Sequence, residues 1–102
     1  MKKVINRKMY NTETAIEIAS YENMSNRRDY GHFEETLYMK KTGEFFLYGC
    51  GGAASKYAEV QADRMRSYGE AIFPITENEA RLWVEKYSDA DTYIETFGEV
   101  EE

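Results

Sequence analysis

Histidine, cysteine and proline each occur once in the 102 residues, and no run of apolar residues is long. A lone Cys50 excludes an intramolecular disulfide and any cysteine-rich zinc site. With His32 as the only imidazole, a metal site assembled from Cys and His has almost no donors to draw on. No stretch approaches the roughly 20 apolar residues that cross a bilayer. Met1-Lys2-Lys3 leads into only Val4-Ile5 before Asn6, so neither a signal-peptide core nor a membrane anchor is expected. Free thiol and missing export signal point to the cytoplasm of the producing cell. Basic residues are also missing from one region: from Ser88 onward there is no Lys or Arg, while Asp89, Asp91, Glu95, Glu99, Glu101 and Glu102 carry the whole formal charge of −6. Residues 1–87 are balanced, so the acidity is local.

The chain is 42% hydrophobic and 15% aromatic, which describes a folded globular protein. Its length suits one core, so residues 1–102 are read as one domain. Val4-Ile5 and Met9-Tyr10 flank Asn6-Arg7-Lys8, giving a short hairpin or a kinked strand. Asn11 and Thr12 offer cap oxygens ahead of Thr14 to Ala19, where Ala15, Ile18 and Ala19 share a helical face; the spacing predicts a short N-terminal helix. Tyr21 to Gly31 is polar and aperiodic and reads as a surface loop. In His32 to Lys40, Phe33, Glu35, Leu37 and Met39 alternate with Glu34, Thr36 and Tyr38. Glu44 to Tyr48 is dense in aromatics, and Gly43 between the two runs suits a tight hairpin turn.

Gly49, Gly51 and Gly52 either end that strand or admit a close backbone approach. Ser55 to Ser67 is ambiguous, best read as a short strand from Lys56 to Val60 and then a loop. Glu70 to Ile75 contains Pro74, which has no amide hydrogen and belongs at a sheet edge or strand end. Thr76-Glu77-Asn78-Glu79 is a capping box, followed by Ala80, Trp83, Val84 and Tyr87 at one-face spacing. Ser88-Asp89 repeats the cap, Ala90, Tyr93, Ile94 and Phe97 repeat the stripe, and Gly98 stops the helix. The expected fold is α+β: a small antiparallel sheet of three to five strands, a short N-terminal helix, and two C-terminal amphipathic helices packed on one face.

Candidate chemistry is thin. His32 and Cys50 are the residue types of a nucleophile and its base, but no orienting group is evident, and an inert thiol beside a surface imidazole is the plainer reading. The glycine run lacks the Lys-Ser/Thr of phosphate loops. Glu34-Glu35 and Asp89/Asp91 do not follow calcium-loop spacing, and acids at 89 and 91 suit a helix N-terminus, so no metal or other cofactor is expected. Arg27 and Arg28 with Tyr30 form the best nucleic-acid candidate, yet the cluster is small and the net charge repels phosphates. No catalytic residue is assigned and the chain is read as a non-enzyme. The remaining candidate is the acidic surface of Asp89, Asp91, Glu95, Glu99, Glu101 and Glu102: a solubilising face, or one that steers toward a basic groove.

Several blocks together carry a likeness: Val4 to Ala15 (VINRKMYNTETA), Glu35 to Tyr38 (ETLY), Lys41 to Gly49 (KTGEFFLYG), Gly51-Gly52-Ala53, Ser55 to Glu59 (SKYAE) and Ile75-Thr76 with the closing helices. Across nearly its whole length the chain resembles a family of small phage and plasmid proteins of Firmicutes, and within it is similar to anti-CRISPR inhibitors of the Cas9 nuclease. It departs from that family at Cys50, where an acid is common, and in the longer stretch from Val60 to Tyr68. The resemblance implies a bacterial host cytoplasm and a protein partner, such as a CRISPR-Cas effector nuclease, and it implies no catalytic residues. A nucleic-acid-binding accessory protein and a self-associating structural protein are the alternatives.

Overall fold

The computed structural model describes residues 1–23, 31–52, 57, 59–60, 66–67 and 69–101. Strands β1 (Lys2–Ile5), β2 (Lys8–Asn11), β3 (Ile16–Glu22), β4 (Phe33–Met39), β5 (Phe45–Gly51), β6 (Glu59–Val60), β7 (Arg66–Ser67) and β8 (Gly69–Ile75) precede helices α1 (Glu77–Tyr87) and α2 (Ala90–Phe97). The class is α+β, with the two C-terminal helices as expected.

The expected N-terminal helix is a strand. Asn11, read as a helix cap, instead forms a local turn: its Oδ1 accepts from the Glu13 amide at 2.9 Å and its carbonyl from Ala15 at 3.1 Å. A helix over Thr14 to Ala19 is too short to repay nucleation. The β-branched Ile16 and Ile18 instead enter β3, which pairs with β4 through a register shift between Glu17 and Ala19. Tyr21 and Glu22, assigned to the loop, continue this strand.

The single sheet is also corrected. β3-β4-β5-β8 form a four-stranded antiparallel sheet, β1-β2 a separate two-stranded ribbon, and β6-β7 a minimal third pair. The ribbon turns through Asn6 and Arg7, both with positive φ (52° and 67°), a conformation that keeps a two-residue hairpin in line with strand twist. Gly43, at φ 92°, closes the β4–β5 hairpin. β8 is an edge strand, and there Pro74 needs no outward amide partner. Gly49 lies inside β5, whereas the strand stops at Gly51, its last residue, as one of the two readings of the glycine run expected.

The four-stranded sheet is a middle layer. On one face Leu37, Phe45 and Leu47 pack against Ala80, Trp83 and Val84 of α1, with Tyr93 and Phe97 of α2 at the margin. On the other, Tyr10 of the ribbon packs on Phe46 and Ile72, its ring edge-on to Phe46 at 5.5 Å. The strand period of two divides the aromatic run Phe45-Phe46-Leu47-Tyr48 between the two cores.

Candidate partner-binding surface

α2 begins where Asp89 accepts a hydrogen bond from the Thr92 amide at 2.8 Å, which holds its carboxyl below the ordinary range. It ends at Gly98, whose φ of 100° only glycine adopts readily. Between these caps the expected apolar stripe divides. Tyr93 and Phe97 turn to the core, Phe97 meeting Phe45 with ring centroids 5.5 Å apart. Arg81 of α1 fastens this side: its guanidinium lies 4.9 Å from the Phe97 ring, donates to Tyr93 Oη at 3.3 Å and pairs with Glu77 at 2.9 Å.

Ala90, expected to pack, is exposed. With Val84, Tyr93, Ile94 and Val100 it lines an open groove of about 460 Å³ between the two helices, and Glu85, Ser88 and Asp89 complete the wall. Glu85 and Asp89 on its wall are exposed, as are Asp91, Glu95, Glu99 and Glu101 elsewhere on this end of the chain, while Glu102 lies outside the described residues. A cleft with apolar lining and carboxylates of one sign beside it suits a partner segment carrying both an apolar side chain and positive charge. The acids were legible in the sequence. The groove was not, because it depends on how far α2 rolls on α1.

Of the other candidates, Arg27, Arg28 and Tyr30 lie outside the described residues. His32 is not a surface imidazole. It is 1% exposed, and its Nε2 lies 3.3 Å from Oε1 of Glu34, while the Cys50 thiol reaches Oε2 of the same carboxylate at 3.8 Å. The carboxylate stands between thiol and imidazole, where a nucleophilic relay needs the imidazole in the middle.

The Glu34-Glu35 pair is split by the pleat. Glu35 points into the helix-side core, 2% exposed, and accepts hydrogen bonds from Trp83 Nε1 at 3.2 Å and from the Tyr57 hydroxyl. Burial, and then the Glu35 carboxylate, push the Tyr57 hydroxyl well above its ordinary pKa. The hydroxyl end of the Tyr57 ring lies against Gly49, where any Cβ would overlap it; this is the close approach that the glycine run offered. These three side chains form a sealed structural bond network that motif searching missed. Its one signal was a charge in the otherwise apolar row Phe33, Glu35, Leu37, Met39.

No protein-family model matches the chain, and searches of curated proteins and of solved structures return no match. Among the described residues no helix is long and apolar enough to cross a membrane.

Proposed function

We propose that this chain is a non-enzymatic inhibitor or modulator encoded by a mobile element, which docks on a bacterial defence nuclease, with Cas9 the first candidate. The observation that carries the reading is the α1–α2 groove: an apolar cleft flanked by exposed carboxylates, with no lysine or arginine from Ser88 to the end of the sequence. Nucleases that act on DNA present basic channels for phosphate backbones. A fixed acidic surface competes for such a channel, and an adjoining apolar cleft adds the desolvated contact that supplies most of the affinity in protein interfaces. α2 is capped at both ends and pinned by Arg81, so its charges are preorganised, which lowers the entropic cost of docking. The likeness to Cas9 inhibitors supports the same reading.

The test is cleavage of a DNA target by Cas9 ribonucleoprotein in the presence of purified, folded chain. The expected result is a block near one inhibitor per nuclease, relieved by Asp91→Lys with Glu95→Lys. Full cleavage by Cas9 and by several other CRISPR-Cas nucleases at excess chain would overturn the proposal.

A further inference from the structure

The chain has one histidine and one cysteine, and the fold brings both onto a single carboxylate. Register explains why. Glu22 at the end of β3 pairs with Glu34 on β4, and Glu34 pairs with Cys50 on β5, so these side chains form a row across one end of the sheet. His32, just before β4, is tied to the same end: its carbonyl accepts from the Gly52 amide at 2.8 Å, and the adjoining Phe33 amide donates to Asn23 Oδ1 at 3.0 Å. Donor atoms of Glu22, His32 and Glu34 all lie within 4.8 Å of one another.

We infer that Glu22, His32 and Glu34 form a binding site for a divalent transition-metal cation of the zinc class. Zinc takes imidazole nitrogen and carboxylate oxygen at roughly 2.0 to 2.2 Å, which places two such ligands on a tetrahedral ion roughly 3.4 Å apart. His32 Nε2 and Glu34 Oε1 are 3.3 Å apart, so these two ligands already span that edge. The cation takes the place of the hydrogen bond between them, with Glu22 on the exposed side as the third ligand.

Hard oxygen-preferring ions are a poorer match, because a buried imidazole supplies the best-fixed donor. The ring is 98% buried by its side-chain exposure of 2%, so its orientation is set before the ion arrives. Cys50 bonds the other oxygen of Glu34 and stays outside the ligand set, where it orients that carboxylate. The cluster is hidden in the linear sequence, because one His ahead of β4 meets acids of β3 and β4 only through strand register.

The experiment is calorimetric titration of the tag-free full chain with zinc chloride, with circular dichroism of each variant to confirm folding. Wild type binds one ion per chain. Glu22→Gln, exposed and therefore neutral for folding, weakens binding by about tenfold or more, since even the outer-shell partners of metal ligands cost about 10–100-fold when lost. His32→Asn abolishes it if that variant folds. Absence of saturable binding by wild type overturns the inference, as does an unchanged Glu22→Gln. Binding that survives Glu22→Gln and disappears when Asp89, Asp91 and Glu95 are changed to the corresponding amides moves the ion to the acidic helix and also overturns it.

Discussion

The two C-terminal helices have similar patterns and opposite fates. α1 buries Ala80, Trp83 and Val84 against the sheet, and its Glu77–Arg81 pair answers part of its own charge. α2 buries no residue completely, has no basic residue in its last turn, and leaves Ala90 and Ile94 on an open groove. α1 is therefore a structural element whose worth lies in packing. α2 is a surface element, held by two aromatic rings and two caps, whose remaining apolar and acidic groups face outward. Stability and function should separate along this line.

The largest break comes from α1. Trp83→Ala removes the ring at the centre of the helix-side core and the Nε1 donor to Glu35, and should cost about 3–5 kcal/mol, a large part of the stability of a domain this size. Urea unfolding measures it. Tyr57→Phe comes next: it strips one donor from the buried Glu35 carboxylate, for about 1–3 kcal/mol in the same assay.

The sealed side should also show in pH. The folded state raises the Tyr57 pKa above its ordinary 10.0, so the stabilisation from the protonated phenol is complete below pH 10 and is lost as pH rises beyond it. In urea unfolding from about pH 8 to 11, the part of the midpoint's fall that begins near pH 10 should be steeper in wild type than in Tyr57→Phe. The smallest stability effect belongs to α2: with both residues exposed, Asp91→Lys should cost about 0.3–1 kcal/mol, because an acid suits the first turn of the helix, and Glu95→Lys no more than about 0.5 kcal/mol. A loss comparable to that of Trp83→Ala would erase the distinction between the helices.

Much of this was legible where local chemistry decides structure. The Thr76–Glu79 capping box is formed in both directions, at 3.1 and 3.0 Å, and the stripe Ala80, Trp83, Val84 is the buried one. The hairpin through Gly43 and the edge position of Pro74 followed equally from single-residue constraints. What failed depended on distant partners. Ile16 to Ala19 carries a plausible helical face, but an open edge of β4 gives its amides and carbonyls better partners. The ribbon was read as a short hairpin or a kinked strand, yet nothing local says that Tyr10 will cover Phe46. The acids of α2 could be counted from the sequence. The groove beside them, and the meeting of Glu22, His32 and Glu34 at one end of the sheet, arise only from register and helix rotation.

The most direct measurement is target cleavage by Cas9 ribonucleoprotein titrated with wild-type chain and with Asp91→Lys/Glu95→Lys, both verified as equally stable. Inhibition by wild type near one-to-one stoichiometry, with a rightward shift of tenfold or more in the variant (about 1.4 kcal/mol at a factor of ten), is the predicted result. Equal inhibition by the two proteins would contradict a docking surface on α2, and no inhibition by either would contradict the proposed function itself.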